Sequence, residues 1–226
     1  MSVTTSSMLI RNLSVIALQG LNQNIYGVVN ARSFDLLRRT ARIVRYAGRV
    51  DKAAQKGKSS LEYHLTMAFS WNLALANGAG FILGEELWKR FPGHCSHCFC
   101  GPCKCGRGIR NDSTLVRGTM PNTLHGFQKM FAAIYPTNTL LGETDHLLQE
   151  VCELTEAVDN YTGTNRPDLM AAVIAESCDV AAHICGVASC ADIDLSVQFE
   201  EHFKDGCFSC HRPVCNCDFP ATVTVT

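Results

Sequence analysis

The sequence predicts an all-α protein, a helical bundle made of two tandem copies of one unit. Three observations lead there. Apolar residues recur at helical spacing in both halves, no stretch shows a convincing β alternation, and one four-cysteine pattern occurs twice at a constant separation. The first cluster is Cys95, Cys98, Cys103 and Cys105; the second is Cys207, Cys210, Cys215 and Cys217, each 112 residues from its counterpart.

Taken in order, the first copy spans residues 1–105. The pair Ile25-Tyr26 matches Ile134-Tyr135, and FDLLRRTARIVRYAG (34–48) aligns with DHLLQEVCELTEAVD (145–159) at an offset of 111. Ser59 and Glu62 are spaced as a capping box before a helix ending near Asn77. EELWKRFPGHC (85–95) then leads into the first cysteine cluster, as VQFEEHFKDGC (197–207) leads into the second. Residues 106–119, GRGIRNDSTLVRGT, are Gly-rich and polar and read as a linker. The second copy covers 120–218. A helix starts near Thr144 with Leu147, Leu148, Val151, Leu154, Thr155 and Val158 on one stripe. Another starts at Asn165-Arg166-Pro167 and runs to about Cys190, and a shorter one follows Asp194. The remaining 219–226, with ATVTVT, reads as a tail.

Composition narrows the function classes. The chain has 226 residues, 46% of them hydrophobic, and 20 basic against 21 acidic groups give a net charge of −1. Nothing in that balance points to nucleic acid or an anionic membrane as partner. The longest apolar stretch, Leu169 to Ala191, carries Glu176, Asp179 and His183, too polar for a comfortable membrane span. The N-terminus lacks a basic lead followed by an apolar run, so no signal peptide is expected. Nine of the 13 cysteines, the eight of the repeated pattern and Cys100, sit in two short segments, which reads as metal binding in a reducing, cytoplasmic setting rather than as a disulfide framework. Four converging thiolates suit a structural Zn²⁺ in each cluster, closing each copy after its last helix; an iron–sulfur cluster uses the same ligands. Cys100, His94, His97 and His211 are alternative ligands or bystanders.

The chemistry-bearing segment is LMAAVIAESCDVAAHICGVASCA (169–191), apolar nearly all round yet carrying Glu176 and Asp179 on one face. Two adjacent buried carboxylates repel, and a divalent cation between them removes the penalty. The preceding helix offers Glu150 and Glu153, so four carboxylates from two antiparallel helices would build an oxygen-rich site for Mg²⁺ or Mn²⁺. The bland readings are a solvated face for Glu150 and Glu153, and arginine partners for Glu176 and Asp179.

Glu150-x-x-Glu153 followed by Glu176-x-x-Asp179 resembles the EExxE…ExxD signature of MazG-like nucleoside-triphosphate pyrophosphohydrolases, with Gln149 in place of the first acid. The resemblance implies an all-α bundle of paired units that converts (d)NTP to (d)NMP and pyrophosphate, alone as a pseudo-dimer or as a homo-oligomer. Glu150, Glu153, Glu176 and Asp179 would be the catalytic metal ligands. At the offsets above, the first copy has Arg39, Arg42 and Arg45 opposite Glu150, Glu153 and Glu156, and His64 and Met67 opposite Glu176 and Asp179. It is expected to be non-catalytic, with Arg39, Arg42 or Arg45 on this Arg-rich helix facing the phosphates or the acidic helix of the other half, or forming a solvated basic face. His183 and Lys129 are further candidate substrate contacts, with Phe127 and His146 beside them. The competing reading is a non-catalytic zinc protein that binds nucleotides or nucleic acid.

Overall fold

A computed structural model describes residues 9–57, 60–107, 118–164 and 166–218. Among these lie eight α-helices and no strand: α1 (Val15–Ser33), α2 (Leu36–Lys56), α3 (Leu61–Ala79), α4 (Leu83–Arg90), α5 (Leu124–Ile134), α6 (Leu140–Thr164), α7 (Met170–Cys190) and α8 (Leu195–Phe203). Short polar side chains start several of them by accepting first-turn N–H groups: Ser14 from Ala17, Asp35 from Arg38, Thr123 from Gly126, and Asp194 from Ser196 and Val197. Gly57 and Gly80, in the left-handed region, end α2 and α3.

The helix expected near Thr144 begins four residues earlier, at Leu140, where the Thr139 hydroxyl accepts the Gly142 N–H. Pro167 opens a short 3₁₀ turn before α7, and α8 follows Asp194. Ser59, most of the linker (108–117) and the tail (219–226) lie outside the described residues. Ser60 directly precedes α3 and makes no capping bond with its side chain.

Four long helices form the centre. Helix α2 packs on α3, α6 on α7, α2 on α6 and α3 on α7, with α1 alongside α3 and α5 alongside α7. Leu65, Phe69, Leu73, Val180 and Ile184 are fully enclosed there, and burial of such side chains is the main driving force for assembly. Across the α3–α7 contact, Asn72 donates to the Ser177 carbonyl (2.9 Å) and the Ser177 hydroxyl donates back to Asn72 Oδ1 (2.7 Å), so both polar groups are satisfied without water. The segment containing α7, Pro167–Cys190, is long and apolar enough to cross a membrane, with a mean hydropathy of 1.5, and half of it is buried inside the fold.

The two halves repeat each other's hydrogen bonds. Gln19 donates to the Phe81 carbonyl and accepts the Leu83 N–H; Gln128 does the same with Ile193 and Leu195. Both glutamines thereby clamp the bend between two helices of their own half. Helices α2 and α6 also correspond, in a register seven residues from the sequence alignment. Asp35 matches Thr139 as the residue accepting from the first turn, and Thr40 matches Thr144 as a buried threonine bonded back to its own helix. Arg39 therefore stands opposite Glu143, and Tyr46, not Arg39, stands opposite Glu150. Seven residues are nearly two whole helical turns, so the wrong register keeps the apolar stripe in phase and looks equally good in the sequence.

The expectation that each cysteine cluster closes its own copy is corrected. The Cys103 N–H donates to the Ile134 carbonyl at the end of α5, and the Cys215 N–H donates to the Ile25 carbonyl within α1, both at 2.7 Å. Each loop thus sits on the first helix of the other half. The short helices cross over as well: α4 packs on α7 and α8 on α3, with Phe91 edge-on to Phe131 and Phe199 edge-on to Phe69.

Candidate metal centres

Helices α6 and α7 bring Glu150, Glu176 and Asp179 together, with one carboxylate oxygen from each lying within 4.8 Å of the others. All three are half-buried. Burial, then the charge of Asp179, raises Glu150 to about 7; Glu153 and Glu176 add to the shift and His183 opposes it. Glu176 is also raised, by burial and then by Asp179 and Glu153. Its Oε2 is enclosed without any hydrogen-bond partner. An orphaned carboxylate oxygen beside two more carboxylates is a costly arrangement that a bound cation would relieve.

The fourth proposed ligand stands apart. Glu153 is exposed and accepts a hydrogen bond from Gln149 Nε2 (2.8 Å), the residue that occupies the first position of the acidic signature. In its place the structure supplies Arg90, from α4 of the other half. Its Nε donates to Asp179 Oδ1 (2.6 Å) and its Nη2 to Oδ2, a bidentate pair. Asp179 is thus partnered by a guanidinium, although not by one from the Arg-rich helix α2.

His183 lies one turn after Asp179. Its Nδ1 is 2.7 Å from Glu143 Oε2, its Nε2 is 3.8 Å from Glu150, and its ring stacks on His146 at 5.3 Å. Burial alone would lower its pKa; the hydrogen bond to Glu143 and the charges of Glu143, Glu150 and Asp179 outweigh that and raise it. Glu143, only 2% exposed, is held on its other side by Asn138 Nδ2.

The basic candidates do not reach this cluster. Arg39 is buried, with its guanidinium donating to the Phe34 and Ala74 carbonyls, so it secures the first half's own backbone rather than a phosphate. Arg42 lies over the rings of Phe34 and Trp71. Arg45 and Lys129 are exposed, and Phe127 belongs to the core. Sequence reasoning missed Arg90 and Glu143. Glu143 sits one turn before Leu147 on the buried stripe, a signal concealed by starting the helix at Thr144; Arg90 carried no local signal.

The cysteine loops converge as the spacing implied. Cys95, Cys98, Cys103 and Cys105 place their sulfurs within 4.8 Å of one another, and Cys207, Cys210, Cys215 and Cys217 do the same. Sulfur separations of 3.7, 3.8 and 4.0 Å match the edge of a tetrahedron with metal–sulfur bonds of about 2.3 Å. The two loops share one backbone: Cys95 N–H to Cys100 carbonyl matches Cys207 N–H to Arg212 carbonyl, and Phe99 and His211 both adopt positive φ. Gly206 has φ of 93°, and a side chain there would collide with the Arg212 carbonyl. Cys98 is drawn down to about 6: burial opposes its ionisation, but N–H groups of Lys104 and Cys100 and neighbouring thiols outweigh it. Cys210 is likewise lowered to about 6, against burial, by the N–H groups of Asn216 and Arg212. Cys100 points its thiol at the Cys98 carbonyl and is no ligand.

The two cysteine sets could each hold a tetrahedral thiolate-bound ion, and the three carboxylate oxygens also lie close enough together to hold a metal ion. Set against known proteins, the chain matches no family model, no curated protein and no solved structure.

Proposed function

We propose that this protein is a Mg²⁺- or Mn²⁺-dependent nucleoside-triphosphate pyrophosphohydrolase of the MazG-like type, working from one acidic cluster in its second half. The observation that carries the reading is the meeting of Glu150, Glu176 and Asp179 with the Glu176 Oε2 unpartnered. A divalent ion bound by oxygens at about 2.1 Å holds them roughly 3–4 Å apart, so three oxygens within 4.8 Å need only a small contraction. When bound, such an ion neutralises triphosphate charge and lowers the pKa of a coordinated water. Glu150, Glu176 and Asp179 hold it. Arg90 fixes the Asp179 carboxylate, and its planar fork also matches a phosphate. His183, tied to Glu143, braces the edge of the cluster beside Glu150. Two structural Zn²⁺ ions fill the cysteine loops.

A second reading, a non-catalytic zinc protein that binds nucleotides, draws on the bidentate hold of Arg90 on Asp179 and on Gln149 at an acidic signature position. Incubation of the zinc-loaded protein with a panel of NTPs and dNTPs plus Mg²⁺ separates the two. The hydrolase releases pyrophosphate and the monophosphate, and Glu176→Gln lowers that rate by about a hundredfold or more. Release of no pyrophosphate from any common triphosphate sinks the hydrolase and leaves the binding protein.

A further inference from the structure

The first half holds a cavity of about 150 Å³ where the second half holds its acids. In the corrected register Arg42 replaces His146 and Tyr46 replaces Glu150; on α3, Met67 replaces Asp179 and Trp71 replaces His183. Residues suited to a cation have given way to a guanidinium and aromatic rings. We propose that this cavity is a second ligand site, which takes a planar single-ring aromatic carrying an anionic group, with pyrimidine nucleoside monophosphates as the class.

Three features support it. Tyr46, Tyr63, Trp71 and Phe208 present rings to the space, and Phe208 is delivered by the second cysteine loop of the other half. Aromatic walls select a flat, polarisable ligand. Arg42 lines the cavity with its guanidinium 5.2 Å from the Phe34 ring and 5.8 Å from the Trp71 ring. Among the described residues no carboxylate lies within ion-pair distance of it, so its charge is oriented but unneutralised. Asn30 is 5% exposed, lines the same space, and its side-chain amide makes no hydrogen bond within the described residues. At the cavity wall the donor and acceptor of this amide together complement the edge of a pyrimidine. The volume is about that of an engineered cavity known to accept benzene, so it matches one six-membered ring, with the sugar and phosphate placed at the open mouth. The site goes beyond the hydrolase reading and does not depend on it.

The test uses the full, zinc-loaded chain without added divalent cation, in a Trp88→Phe background so that Trp71 is the sole tryptophan reporter. Uridine monophosphate should quench its fluorescence saturably, while inorganic phosphate and adenosine monophosphate bind at least about tenfold more weakly. Arg42→Gln and Asn30→Asp should each weaken binding of uridine monophosphate by about tenfold or more, and Glu176→Gln should leave it unchanged. Asn30→Asp keeps the size of the side chain and decides the matter if Arg42→Gln fails to fold by circular dichroism. No binding, phosphate binding as tightly as the nucleotide, undiminished binding in both cavity variants, or loss of binding in Glu176→Gln would overturn the proposal. Pyrophosphate release with Mg²⁺ is measured separately, so failure of the acidic cluster as a hydrolase is not confused with failure of this site.

Discussion

Glu150 concentrates the electrostatic tension of the molecule. It faces Glu176, Asp179 and Glu153, with the charge of His183 acting against them, while the Arg90 charge is engaged by Asp179. Its pKa rises from 4.5 to about 7, so in the folded state ionisation is resisted. The resulting penalty is absent below pH 4.5, grows as pH rises towards 7, and is constant above that. His183 acts in the same direction: its raised pKa gives stability that is present below its unfolded value and is lost as pH rises through its folded one. The cation-free protein should therefore lose stability as pH rises across this range, and added Mg²⁺ should restore it at neutral pH. Glu150→Gln should raise the cation-free Tm at neutral pH by about 2–4 °C, since about 1 kcal/mol moves a chain of this size that far, and should abolish pyrophosphate release. Thermal melts across pH, with and without Mg²⁺, check both; a variant that melts no higher than the parent refutes the tension.

At the scale of elements, the paired glutamine clamps are the most exposed to test. Gln128→Leu leaves the Ile193 carbonyl and the Leu195 N–H without their partner, which should cost about 2–4 kcal/mol, and Gln19→Leu should cost the same at the matching bend. Urea midpoints measure this, and unequal costs would show that the two bends are not equivalent in energy. Helices α7 and α8 and the cysteine loops were legible in the sequence because their signals are local: an unbroken apolar run, an Asp cap and a fixed cysteine spacing. Helix α1 was not read, because its pattern is inverted. Gln19 and Asn22 are buried for hydrogen bonding, while Val28 is 66% exposed and Ile16 39% exposed. The facing pair Glu176 and Asp179 was legible as two carboxylates inside an apolar helix, and Glu150 joined them as expected. Glu153, three residues beyond Glu150, lies exposed and bonded to Gln149, outside the group formed by the other three carboxylates. The guanidinium of Arg90 was invisible because it arrives from another helix, 89 positions away.

For the whole molecule, the decisive feature is the exchange of cysteine loops between halves. Replacing Cys215 by Ser loosens a loop seated on Ile25, so α1 rather than α5 should lose protection. Damage at Cys103 should do the reverse and expose α5 through Ile134. Amide hydrogen exchange resolved by segment reads this crossed pattern; loss confined to the half that carries the mutated cysteine would contradict it. Buried bonds between Asn72 and Ser177 tie the halves a second time. Covalent continuity between Arg107 and Gly118 is consequently dispensable once folding is complete. A protein nicked there should elute as a single particle, because either fragment can leave only by surrendering the seat it lends and the seat it borrows.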